Sequence, residues 1–281
     1  MNIVGLGKAG CTIADKFSQH PQYKIYKVDE GPENDFDFIE NYGTTQERIK
    51  VLNIKKQDGP EQYESNCPPL KSFFGKINGP TVLVMGGSGD ITAISLRIIE
   101  QIKPSCDVHV LYIRPDIELL SEIKKMHEKV TYNVLQEYAR SGQLAGVCLI
   151  SNPELESTLD NISIIGYYDK LNELLVSTLH MISVYKNSDS IMGGLSDAGA
   201  TKRIYTVGIF DIEKNEEKLF FPLDNIREKG YIYSISKEKL ETESGLHKLI
   251  TSQMKEKLSD ENVSVSFGVF PNDYKMDYGY V

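Results

Sequence analysis

Gly5, Gly7 and Gly10 stand in "GLGKAGC", between the apolar run "NIVGL" and the amphipathic run "GKAGCTIADKFSQ". Glycines at this spacing permit a tight turn and close approach of the backbone to a ligand. A helix that starts there offers free N–H groups and a partial positive charge to a phosphate. Asp29 closes the next apolar run, "YKIYKVDEG", 19 residues after Gly10. A carboxylate at that place suits a ribose hydroxyl. Turn, helix, second strand and acid together make the dinucleotide-binding fingerprint. The plainer alternative is a tight strand-to-helix turn with nothing bound.

A second glycine cluster, Gly86, Gly87, Ser88 and Gly89, sits between "TVLVMGG" and "ITAISLRIIEQIK" and runs straight into Asp90. A dinucleotide fold has no need of a second cradle there. A fold that grips a triphosphate between two loops does. Asp90 works against that use, because a bare carboxylate repels phosphate. It is tolerated where Mg2+, Arg or Lys intervenes, or where it turns away as a helix N-cap. The P-loop pattern GxxxxGK[ST] is absent. Asn152, in "LISNPEL", follows a strand end, where open α/β sheets bind ligands. On its own, Asn-Pro marks a simple turn. Asn172 falls near the start of a long helical run, an unfavourable place for Asn; it bonds a base edge or faces solvent.

The elements that must hold these residues follow from periodicity. "NIVGL", a helix, then "YKIYKVDEG" open a β-α-β unit with parallel strands. Residues 32–79 are polar, broken by Gly and Pro, and read as loops around one strand, "RIKVLNI". "TVLVMGG" is a strand and "ITAISLRIIEQIK" a helix with a stripe of Ile94, Ile98 and Ile102. "VHVLYIRP" is a strand, "ELLSEIKKMHEKVTYNVLQEYARSG" one or two helices ended by Gly142, and "LAGVCLISNP" a further strand. Residues 1–168 thus form a doubly wound α/β nucleotide domain. A long connecting helix covers 169–188, with Leu171, Leu174, Leu175, Thr178, Leu179 and Ile182 on its broad apolar face. "DSIMGGLSDAGATK" is a loop. Residues 200–281 form a smaller α+β domain: strands "RIYTVGIF", "YIYSISK", "VSVSFGVF" and "MDYGYV", with one helix "ETESGLHKLITSQMKEKL".

Bulk composition narrows the classes. The chain has 281 residues, 40% hydrophobic and 25% charged, with a net charge of −9. That is globular, and acidic enough to speak against nucleic acid as the main partner. Cys11, Cys67, Cys106 and Cys148 show no CxxC spacing and read as free thiols; the five histidines show no metal-site spacing. No apolar run reaches the roughly 20 residues of a membrane helix. The opening strand leaves no leader peptide, so the expected setting is cytoplasmic.

The order of these motifs resembles the tubulin/FtsZ superfamily of GTP-dependent filament proteins. "VMGGSGDITA" is similar to that family's "MGGGTGTGA" signature, "LISNPELESTL" to "ITIPNDKLL", "YYDKLNELL" to the segment whose Asn reads guanine, and "ENVSVSFGVF" to a strand late in the second domain. The resemblance spans essentially the whole chain. It implies GTP or GDP as ligand, with Mg2+ as companion ion. Gly5, Gly7 and Gly10 would form the first phosphate loop, with Cys11 where the family usually has Asn. Gly86, Gly87, Ser88 and Gly89 would hold the outer phosphates, Asn152 the ribose and Asn172 the guanine. It also implies head-to-tail self-assembly, the next subunit's loop completing the hydrolytic site. An adaptor protein is compatible with that role.

The departures matter too. The signature loop lacks the later glycines and threonines. The loop after the long helix, "MGGLSDAGATK", offers only Asp197 as a water-positioning carboxylate, where the family has "NxDxAD". A plain turn accounts for Asp197 equally well. The helix that usually follows is missing or very short, and the chain ends on a strand rather than a partner-recruiting tail. These features suit a phage- or plasmid-type tubulin-like protein with weak or assembly-dependent hydrolysis. Two other readings stay open: a tubulin-fold scaffold that has lost turnover, and an NAD-dependent oxidoreductase.

Overall fold

The computed structural model describes residues 1–31, 48–159, 161–197, 199, 203–259 and 262–281. In chain order its elements are β1 (Asn2–Leu6), α1 (Gly7–Phe17), β2 (Lys24–Glu30), β3 (Ile49–Ile54), α2 (Pro60–Ser65), α3 (Leu70–Phe74), β4 (Thr81–Gly86), α4 (Ser95–Ile102), β5 (Val108–Arg114), α5 (Glu122–Arg140), β6 (Gly146–Ser151), α6 (Asn152–Ser157) and α7 (Tyr167–Lys186). There follow β7 (Met192–Gly194), β8 (Ile204–Tyr205), β9 (Gly208–Asp211), β10 (Glu216–Leu219), β11 (Glu228–Ser236), α8 (Lys237–Thr242), α9 (Leu246–Lys257), β12 (Ser264–Asn272) and β13 (Tyr278–Tyr280). The chain divides into two units, residues 1–176 with 203–205, and residues 177–202 with 206–281. The division falls inside α7.

The first unit is built on a seven-stranded sheet of order β3-β2-β1-β4-β5-β6-β8 in which every neighbouring pair is parallel. Its central strands read as continuous apolar runs because helices cover both faces. All five residues of β1 and all six of β6 are buried. α4 packs through Ile98, Ile99 and Ile102, extending the expected stripe from Ile94. The N-terminal half of that stretch is a tighter 3-10 turn, Asp90–Ile94, before the α-helix begins at Ser95. α5 starts at Ser121, whose Oγ accepts the Lys124 N–H, and the chain leaves it through Gly142 at φ +72°. A left-handed residue is the ordinary exit from a helix.

The second unit carries a six-stranded mixed sheet, β10-β9-β13-β11-β12-β7. α9 lays Leu246, Ile250 and Met254 onto Phe210, Tyr231, Tyr233 and Ile235 of that sheet. The buried Gln253 is satisfied by the Tyr233 hydroxyl, 3.1 Å away, and by donating to the Ile212 carbonyl at 2.6 Å. Tyr185, late in α7, meets Ser234 Oγ at 2.6 Å.

Several local expectations are corrected. The polar stretch after β3 is not all loop. Pro60 opens α2 at its first turn, and Tyr63, Phe73 and Phe74 give α2 and α3 buried anchors. "RIYTVGIF" is two strands: Ile204–Tyr205 pairs with β6 in the first sheet, and Gly208–Asp211 belongs to the second. Met192–Gly194, expected as loop, is an edge strand on β12. The charged stretch after Asn215 includes β10. The single late helix is two, α8 and α9, separated at Glu243–Gly245. β11 and β12 run parallel, linked by that helical pair. The stretch "PENDFDFIENYGTTQE" and residues 198 and 200–202 of the "MGGLSDAGATK" loop lie outside the described residues.

Candidate functional site

In the strand order of the first unit the direction of winding reverses between β1 and β4. Ligands of open α/β sheets bind at the carboxyl ends of the strands flanking that reversal. Both glycine loops are there. β1 and β4 pair in register, Leu6 beside Met85, so the chain leaves the sheet side by side at Gly7 and at Gly87. The two loops touch: a Cβ on Gly7 would lie 2.9 Å from Ile91 Cγ2, and one on Gly86 3.7 Å from Ala9 Cβ.

The first loop suits an anion. Gly7 takes φ +68°, and a Cβ on Gly10 would lie 2.2 Å from the Val84 carbonyl oxygen. Glycine at 10 is what lets α1 sit directly on β1 and β4. The N-terminus of α1 has no side-chain cap and no acid in its first turn, which instead holds Lys8. Uncapped N–H groups, the helix dipole and an ammonium all favour a phosphate. Cys11 is turned the other way. Its Sγ lies 3.4 Å from the Gly5 carbonyl and 3.6 Å from that of Val28, and burial first, then Asp29, pushes the thiol up to about 12.

The second loop is different. The Gly87 N–H donates to the Ile113 carbonyl at 3.0 Å and is engaged in extending the sheet. A Cβ there would lie 2.2 Å from the Tyr112 hydroxyl, so glycine at 87 makes room for that ring. Asp90 is not the helix cap: Gly89 occupies that place without a side-chain bond. Asp90 Oδ1 instead accepts from Lys124 Nζ at 2.6 Å, with His127 Nδ1 3.4 Å away. Asp90 is thus paired to a lysine of α5 rather than used as a helix cap. Beside it, Glu128 is only 3% exposed and accepts from the Tyr112 hydroxyl at 2.9 Å and Arg114 Nε at 3.1 Å. Lys124, His127 and Glu128 were not singled out by motif. Their spacing of three and four on α5 is the signal that places them on one helical face.

Asp29 is the penultimate residue of β2, at the same carboxyl end of the sheet. Burial raises its carboxyl above the ordinary value, while the Glu30 N–H donating to Oδ1 works against that. A cavity of about 250 Å³ lies beside it, lined by Lys8, Cys11, Thr12, Asp15, Lys27 and Asn53 among others. That is below the roughly 300–1,000 Å³ of small-molecule sites, and the Lys27–Asp15 ion pair at 2.9 Å occupies one wall. Asn152 follows β6 and opens α6; Asn172 is half-buried on α7 between Leu171 and Leu175. In the second unit Asp197 is exposed, and its Oδ1 accepts the Gly199 N–H at 3.3 Å, a local turn. Among the described residues no group of three or more His, Cys, Asp or Glu is placed to hold a metal ion, and no helix is long and apolar enough to cross a membrane.

No family model and no curated protein matches the sequence. Solved structures do. A GTPγS-form protofilament of TubZ from Bacillus thuringiensis serovar israelensis superposes with a TM-score of 0.68 at 16% identity, over 99% of this chain and 84% of that one. An empty FtsZ dimer from M. jannaschii gives 0.65 at 11%, over 99% and 85%. A GTPγS-bound protofilament of CetZ2 from Haloferax volcanii gives 0.65 at 12%, over 99% and 91%. The topology, the paired glycine loops and these likenesses agree: the fold of this chain is that of the tubulin/FtsZ superfamily.

Proposed function

We propose that this chain binds a guanine nucleotide at the paired glycine loops and assembles head to tail, with weak or assembly-dependent hydrolysis of GTP. The observation that carries the reading is the first loop: an uncapped helix N-terminus with a lysine and no acid, held against β4 at the winding reversal. The fold supports guanine as the base, since TubZ of this fold was solved as GTPγS-form and GDP-form protofilaments. Gly5, Gly7 and Gly10 would seat the inner phosphates, Gly86, Ser88 and Gly89 the outer ones, Asn152 the ribose and Asn172 the base. Mg2+ would neutralise the outer phosphates when bound. Asp197, exposed on the second unit, would be offered to the site of the next copy along a non-closing, heterologous contact. Phosphoryl transfer needs positioning and charge more than covalent chemistry, so one carboxylate suffices for slow turnover.

A second reading, a tubulin-fold scaffold without turnover, is favoured by two specific features. The Gly87 N–H is already engaged, and the Asp90–Lys124 pair would leave a carboxylate beside the outer phosphates. The NAD reading draws little support from the small, ion-paired cavity beside Asp29. Light scattering and sedimentation of the full chain with GTP, GDP or neither, in Mg2+, separate these. Polymer that needs GTP supports the first reading; assembly indifferent to nucleotide supports the scaffold and overturns the first.

A further inference from the structure

One face of α5 packs into the first unit through Glu128, Leu135 and Ala139. The opposite face is apolar and open to solvent. Ile123 is 64% exposed, Met126 58% and Val130 58%, with Leu119, 83% exposed, at the helix entrance. At about 100° per residue, positions 123, 126 and 130 fall within roughly 60° of arc. The spacing of three then four is the narrow seam of paired helices rather than the broad stripe of a core helix. Scattered exposed apolar residues need no explanation, but an aligned row does.

The charges beside the seam say what it pairs with. Glu122 and Lys129 lie seven residues apart, both exposed and on the same side of the seam. Two copies of α5 related by a two-fold axis run antiparallel. With Ile123 of each copy against Met126 of the other, Glu122 of each faces Lys129 of the other. Each Glu122 then meets the Lys129 of its mate, once on either side of the axis, so the surface is self-complementary, the requirement of an isologous contact. Glu122 also touches Lys125 within its own helix at 2.9 Å, a solvent-exposed pair too weak to compete.

We infer that α5 is a two-fold pairing surface through which this chain joins a second copy of itself, distinct from any head-to-tail contact and independent of nucleotide. In an assembling protein such a contact would tie two filaments side by side in opposite directions; in one that does not assemble it gives a closed dimer.

The test is the self-association constant of the full, nucleotide-free chain by analytical ultracentrifugation at low salt, where exposed charges are least screened. Ile123→Lys and Met126→Lys should each yield monomer, and being at exposed positions both should keep the parent's far-UV circular dichroism. Glu122→Lys and Lys129→Glu should each weaken the dimer by about tenfold, since two ion pairs turn repulsive. The double swap, Glu122→Lys with Lys129→Glu, should recover the parent constant. A parent that stays monomeric, or a dimer that the lysine variants leave intact, overturns the inference. So does a double swap without recovery, because it points to a heterologous contact or a different partner. None of these outcomes depends on whether GTP binds.

Discussion

Replacing Gly10 by alanine sets two effects against each other, and the structure decides between them. Gly10 lies inside α1, where alanine is the better helix former by about 1 kcal/mol. The new methyl would lie 2.2 Å from the Val84 carbonyl oxygen, 3.1 Å from its carbon and 3.3 Å from the Gly5 carbonyl carbon. An ordinary carbon–oxygen contact is about 3.3 Å, so α1 must withdraw by roughly 1 Å. All three neighbours are backbone in the two central strands, and none can swing aside. Overpacking of this kind costs about 1–3 kcal/mol and occasionally more. With no relief from side-chain motion we place it at the upper end, about 3 kcal/mol. The clash wins, for a net loss of about 2 kcal/mol. Urea unfolding followed by far-UV circular dichroism reads it, with the transition of the first unit moving to lower urea. Gly86→Ala is the internal control. Its methyl meets only Ala9 Cβ at 3.7 Å, so its stability should match the parent within about 0.5 kcal/mol. A Gly10→Ala variant as stable as the parent, or more so, would refute the claim that this glycine seats α1 on β4.

Other expectations follow from the same geometry. Asp90→Asn removes the charge that engages Lys124 and should tighten GTP binding about tenfold by calorimetry; unchanged or weaker binding would show that the pair lies outside the cradle. It should lower stability by no more than about 1 kcal/mol, because both side chains are a third exposed. In the second unit, burial alone would raise Glu217, but Lys229, Lys257 and the Tyr231 hydroxyl donate to it and hold it at about 2, against an ordinary 4.5. Its folded value is the lower one, so its contribution is full above about 4.5 and is lost as pH falls toward 2. Glu217→Gln should flatten the acid limb of the stability curve across that window, and an unchanged limb would contradict the network's role. Under native alkylation Cys67, half-buried, should react before the buried Cys11, Cys106 and Cys148; mass spectrometry showing Cys11 labelled as fast as Cys67 would contradict the inward placement of its thiol.

The parallel core was legible because period and glycine placement are local signals. "NIVGL", "TVLVMG" and "GVCLIS" announce buried strands by composition alone, and the Ile94, Ile98 and Ile102 stripe announces the helix that covers them. The failures have a common origin in distance along the chain. Whether "RIYTVGIF" is one strand or two depends on β6, some 55 residues earlier, capturing Ile204 and Tyr205. β10 was hidden because an edge strand is charged on purpose: "EEKL" reads as turn until Asp211 and Phe210 are seen opposite it. α2 and α3 are too short to show a period, and only the burial of Tyr63, Phe73 and Phe74 betrays them. At the site, the glycines and Asp90 were visible, but which way Asp90 turns was set by Lys124, 34 residues away. The spacing of Lys124, His127 and Glu128 was on the page; nothing local tied it to the loop.

The most direct test of the central claim is to denature the purified chain and identify any released nucleotide by chromatography, then to measure GTP, GDP and NAD binding to the emptied protein in Mg2+. The account predicts guanine nucleotide in the released fraction and selective rebinding of GTP and GDP. A protein that releases none and binds none, or that binds NAD instead, would contradict it.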